Sequence, residues 1–154
     1  MTQYTMVDLV TGQQTTLSEI NLTRKLAPNC ILLAGQEHIG IITHRDLVVF
    51  TRWCVGEMLT RSGHEPDQRA VHALVLVDRW LEDQQSVTPE ELKDTAEAVW
   101  AAGAARAAAE AAWSAARTAW SAGAAVWAAG AAEDYGLSYK SQAQWLVQHL
   151  QSGK

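Results

Sequence analysis

Residues Thr88 to Ala132 read TPEELKDTAEAVWAAGAARAAAEAAWSAARTAWSAGAAVWAAGAA, and the reading of this stretch decides the fold class. Thr88 can cap a helix, Pro89 suits its first position, and Glu91 can bond back to the cap. Alanine then dominates, and alanine is the strongest helix former. The repeat is literal: VWAAGAA at 99–105 returns at 126–132, with AWSAART at 112–118 and AWSAGAA at 119–125 between them. The last three units keep a seven-residue register, which holds one stripe of a helix toward one partner. That stripe is Arg106, Glu110, Trp113, Arg117, Trp120, Ala124 and Trp127. The other faces carry small residues, so neighbouring helices can approach to ~8 Å between axes. A long helix or a tight pair of helices follows, central to the molecule. One straight helix of this length would span roughly 65 Å at 1.5 Å per residue. It therefore bends, breaks or serves an oligomer, and Gly123 and Gly130 are the weak points.

Outward from this segment the chain reads as helices. Thr43-His44-Arg45-Asp46 opens one, with Leu47, Phe50, Cys54, Met58 and Leu59 on its apolar face and a stop near Ser62-Gly63. Pro66 begins the next, which runs to about residue 83 with Val71, Leu74, Val75, Val77, Trp80 and Leu81 inward. Glu133-Asp134-Tyr135-Gly136 ends the alanine segment. A last helix from Tyr139 to Leu150 turns Trp145, Leu146 and Leu150 inward.

Residues 1–42 differ in composition. Tyr4 to Val10 alternates loosely before Thr11-Gly12, which suits a short strand. Thr16-Leu17-Ser18-Glu19 has the pattern of a capping box, predicting a short helix to Leu26. Cys30 to Gly35 and Ile39 to Ile42 are short apolar runs. A hairpin and an irregular segment packed on the helices are both open, because periodicity does not choose over so few residues. The expected fold is all-α: an alanine-rich bundle of about five helices at 43–154, with 1–42 as a small extension packed on it that can include a β-hairpin.

Bulk properties bound the function. The chain has 154 residues and a net charge of −5. That is one domain by size, able to bury a core. The acidic balance argues against nucleic acid as a partner, since phosphate neutralisation needs a basic surface. Cys30 and Cys54 lack metal-ligand spacing, which suits two reduced thiols in a cytoplasmic protein. The N-terminus has no signal-peptide pattern. The alanine segment is long enough for a bilayer, but Arg106, Glu110 and Arg117 at its middle exclude a membrane span.

Four segments carry a resemblance. Phe50-Thr51-Arg52-Trp53-Cys54-Val55, AVHALVLVDRWLE at 70–82, SVTPEEL at 86–92 and WLVQHL at 145–150 together resemble the alanine-rich immunity protein family, over residues 45 to 152. The resemblance implies a protein that neutralises a cognate toxin by binding. Tryptophan here stands where that family places histidine in its alanine helices, and residues 1–40 have no counterpart.

The sharpest candidate site is the central stripe. Arg106 and Arg117 flank Glu110 and Trp113, with Trp120 following. Arginine beside tryptophan can hold an anion while the indole stacks on a planar ring. The plainer reading is an Arg106–Glu110 pair at i,i+4 with tryptophans filling gaps, and a self-association seam is a third. Arg52, Trp53, His72 and Arg79 are secondary candidates; Arg69 and His72, or His72 and Arg79, can share a face, and His64 lies nearby. They lack a nucleophile and an orienting carboxylate at a recognisable spacing. His38 and His44 are too isolated for a metal site. No GxSxG, P-loop, HExxH or dinucleotide motif is present. The expectation is a non-enzymatic binding protein without metal or cofactor, acting on a protein toxin or defence effector. An acidic inhibitor suits a basic partner. The alternative is a homo-oligomer that sequesters a nucleotide-derived signal molecule, as a phage-type anti-defence protein would. Each reading has its own mark. An inhibitor presents its acidic residues on one exposed face, a nucleotide sponge buries Arg106 or Arg117 beside an indole, and an assembly module hides the stripe in a subunit contact.

Overall fold

A computed structural model of the chain describes residues 2–62, 68–101, 117–119 and 125–153. The architecture is mixed α/β, which corrects the all-α expectation. Four strands, β1 (Gln3–Asp8), β2 (Gln14–Ser18), β3 (Cys30–Ala34) and β4 (Glu37–Ile42), form one antiparallel sheet in the order β2-β1-β3-β4. The helices among the described residues are α1 (His44–Ser62), α2 (Gln68–Glu82), α3 (Pro89–Ala101), α4 (Ala125–Asp134) and α5 (Tyr139–Gln151).

The sheet arises because residues 3–8 have two partners. Tyr4 lies opposite Leu17 on one side and Ala34 on the other, and Met6 opposite Thr15 and Leu32. Alternation then turns Tyr4, Met6, Leu17, Cys30 and Leu32 into the core. The β3–β4 turn needs a left-handed residue, and Gly35 supplies it at φ 62°. The helix predicted from the Thr16–Glu19 pattern to Leu26 is shortened for a related reason. Residues 14–18 pair with 3–7, so Ser18 is extended and its side chain makes no cap hydrogen bond. A 3-10 segment, Glu19–Arg24, follows.

The three capped helix starts behave as their side chains dictate. Asp46 Oδ2 accepts from Thr43 N and Oγ1 at 2.8 Å, and Thr43 Oγ1 accepts from Asp46 N at 3.1 Å. Thr88 Oγ1 accepts from Glu91 N at 3.1 Å, while Glu91 Oε1 accepts from Thr88 N at 3.3 Å. Ser138 Oγ accepts from Ser141 N at the start of α5. One apolar core joins sheet and helices, with Leu22, Leu32 and Ile42 beside Phe50, Met58, Val77, Leu92 and Leu146. Within α2, Val75 is exposed, contrary to expectation, and Leu76 is buried in its place.

Two contacts seat α5 on the sheet and on α4. Gly40 on β4 lies against Leu150, and a Cβ built there would stand 3.3 Å from Leu150 Cβ. The buried Gln142 amide donates to the Ala129 and Leu137 carbonyls, each at 2.9 Å, and its Oε1 accepts from Thr23 Oγ1 at 3.0 Å. That one side chain ties α4, α5 and the 3-10 segment together with its polar atoms satisfied.

The alanine segment reverses one part of its reading. In α4 the core-facing residues are Ala125, Ala128, Ala129 and Ala132, while Trp127 is 66% exposed. Alanine allows close packing on α1, and the tryptophan of the heptad stripe turns to solvent. Residues 102–116 and 120–124 lie outside the described residues, and with them the question of one helix or two.

Candidate functional site

The α2–α3 hairpin concentrates the charge of the chain. Residues 78–94 hold six carboxylates (Asp78, Glu82, Asp83, Glu90, Glu91 and Asp94) against Arg79 and Lys93, a net −4 where the whole chain carries −5. All six are exposed. The turn between the helices is tightly built. Asp83 accepts from Gln85 N at 3.0 Å, Ser86 Oγ donates to Asp83 O at 2.7 Å, and Arg79 Nη2 donates to Ser86 O at 3.2 Å. Val87 and Leu92 plug it into the core. Arg45 on α1 donates to the Leu81 carbonyl from the other side. Glu90 and Glu91 suit the N-terminus of α3, where the helix dipole favours anions. Asp83 caps the 3-10 turn that follows α2. Glu82 closes α2, where the dipole disfavours it, so the stability of α2 does not account for its placement.

A second feature lies between α1 and α5. Trp53 stacks on Trp145 with ring centroids 4.6 Å apart and planes 10° apart, and Trp145 stacks on His149 at 5.1 Å and 4°. Phe50 tilts against both tryptophans at 6.2 and 6.1 Å. His149 Nε2 donates to Asp46 Oδ1 at 3.0 Å. Asp46 thus serves its own helix start and the C-terminal helix together. Aromatic pairs of this kind each add about 1 kcal/mol beyond area burial.

The secondary candidates separate. Arg52 is held by Asp78, with Nε 2.8 Å from Oδ1 and Nη2 3.4 Å from Oδ2, so its guanidinium is already matched to a carboxylate. Trp53 belongs to the aromatic stack. Arg79 braces the hairpin turn, and His72 is exposed on α2. These four do not converge on one point. Of the central stripe, Arg117 is half-buried, beside a docked segment. There the Thr118 carbonyl accepts from His44 Nε2 at 2.6 Å and Thr118 Oγ1 from Thr51 Oγ1 at 3.3 Å. Arg106, Glu110, Trp113 and Trp120 lie outside the described residues, as do His64 and the side chain of Arg69.

Cys54 is fully buried, and burial, with Glu57 nearby, pushes its thiol far up from the ordinary value. Burial, then Asp8, also raises the Cys30 thiol. Neither thiol is a ready nucleophile. Among the described residues no three His, Cys, Asp or Glu side chains are placed to hold a metal ion, and no helix is long and apolar enough to cross a membrane.

Sequence reasoning missed the Asp46–His149 link and the Trp53–Trp145 stack. The i,i+4 spacing of Trp145 and His149 was their one local signal. It also left the carboxylates of 78–94 unlocated, although their density is visible in the sequence. Comparison with protein-family models, curated proteins and solved structures finds no match for the chain.

Proposed function

We propose that this protein is a non-catalytic inhibitor of the immunity type, neutralising a basic protein toxin or defence effector by occupying it through the α2–α3 hairpin. One observation carries the reading: residues 78–94 hold a net −4 of the chain's −5 on one braced, exposed hairpin, where Arg52 of α1 meets one of the six carboxylates, Asp78. A rigid acidic surface steers a basic partner and loses little entropy on binding. Trp127, exposed on α4, is of the residue type that anchors interfaces.

Sequestration of a nucleotide-derived signal by a homo-oligomer is the competing proposal. It needs an arginine available beside an indole. Arg52 sits next to Trp53 but is committed to Asp78, and Arg79 is committed to the hairpin turn. Arg106, Trp113 and Trp120 lie outside the described residues and Arg117 is half-buried, so the preference for the inhibitor rests on the acidic hairpin alone. The test is quantitative capture of partners from the source cells by the parent protein and by a Glu82→Lys, Glu90→Lys, Asp94→Lys variant. Retention of a basic protein by the parent alone supports the proposal. Equal retention by both, or a saturable response to cyclic or linear nucleotides with no protein partner, contradicts it.

A further inference from the structure

Away from the hairpin, Glu19 occupies an unusual position. It starts the 3-10 segment after β2 and is only 8% exposed. Its carboxyl group makes no hydrogen bond or ion pair with any described residue. It is not sealed in, because no enclosed side-chain oxygen among the described residues lacks a partner. Glu19 lines an open cleft of about 720 Å³ together with Thr2, Ile20, Lys140 and Gln144. Lys140 and Gln144 stand one turn apart on α5 and are exposed, so they form the rim. Tyr4 lies nearby: its phenol is raised first by burial and then by the charge of Glu19.

The Glu19 carboxyl thus meets the cleft with no cation of the described residues beside it. An ion pair with Lys140 across the same cleft would supply one, and none forms. Opposite charges that face one cleft without meeting leave room for a molecule that satisfies both. The floor asks for a cation, the rim offers an ammonium and an amide to an anion, and Ile20 offers an apolar wall. We propose that this cleft binds a small zwitterion of the amino-acid class, its ammonium or guanidinium group on Glu19 and its carboxylate on Lys140 and Gln144. This site is independent of the hairpin and of any protein partner.

The probes are L-arginine and L-leucine, with agmatine as the arginine analogue that lacks a carboxylate. Binding is read from backbone amide NMR shifts and from melting temperature. At least one amino acid saturates the amides of residues 2, 19–20 and 140–144 below about 10 mM, and Glu19→Gln and Lys140→Gln each weaken it by about tenfold or more. Without ligand, Glu19→Gln melts no lower than the parent, because the substitution removes a charge that no described residue pairs. No saturable shift with either amino acid overturns the proposal, as does unchanged binding in Glu19→Gln. A lowered melting point of free Glu19→Gln also overturns it, since Glu19 would then have a structural partner. Agmatine binding as tightly as L-arginine overturns the role given to Lys140.

Discussion

His149 Nε2 reaches Asp46 Oδ1 at 3.0 Å across 103 residues of sequence, so the start of α1 and the end of α5 are fastened by one hydrogen bond. Asp46 is almost fully buried and also closes the capping box with Thr43. His149→Ala therefore costs more than a surface substitution. The expected loss is about 2 kcal/mol, the cost of a buried hydrogen bond to an acidic group. Chemical denaturation of His149→Ala, Asp46→Asn and the double variant measures it. The pair predicts a coupling energy of about 1 kcal/mol or more; additive losses would contradict it.

Gln142 carries a heavier load. Gln142→Leu strands the buried Thr23 hydroxyl and frees the Ala129 and Leu137 carbonyls. The expected destabilisation is about 3 kcal/mol. A loss under about 1 kcal/mol in denaturant unfolding would show that water replaces the amide.

Gly40→Ala tests the seating of α5 on the sheet. The added Cβ would lie 3.3 Å from Leu150 Cβ, so helix or strand must shift. We expect a loss of about 1–2 kcal/mol, read by thermal unfolding. A change within about 0.5 kcal/mol would show that helix and strand yield at this contact without cost.

Cys54 predicts a pH dependence. In the unfolded chain its thiol ionises near pH 8.5, whereas the folded chain holds it protonated well above that. Above about pH 8.5 the folded state thus binds more protons, and stability falls as pH rises, by up to about 1.4 kcal/mol per unit. Cys54→Ala removes this slope between about pH 8.5 and 9.5. Native Cys54 also resists alkylation at a rate set by unfolding, and fast labelling in the folded state would contradict its burial.

The helices were legible because their signals are local. Thr43, Asp46, Thr88, Pro89 and Glu91 sit where capping requires, and each starts a helix there. The sheet was less legible because its cause is not local. Tyr4 and Met6 are strand residues through contacts with Leu17, Leu32 and Ala34, and those pairings overrule the helix-start pattern at Thr16 to Glu19. The tryptophan stripe shows a further limit. Periodicity identifies which residues share a face, but alanine's small size let the opposite face of α4 enter the core and left Trp127 outside. The acidic hairpin needed only a count of carboxylates between Asp78 and Asp94, yet its exposure follows from the Val87 and Leu92 plugs that orient it.

The most direct test of the central claim is the affinity of the captured partner for the parent and for the Glu82→Lys, Glu90→Lys, Asp94→Lys variant. These three side chains are exposed and outside the hairpin's bracing hydrogen bonds, so the variant is expected to fold. The account predicts a basic protein partner whose association slows by about tenfold or more in the variant, with a difference that shrinks as salt rises past about 0.15 M. An affinity that neither the charge reversals nor salt alters would contradict it.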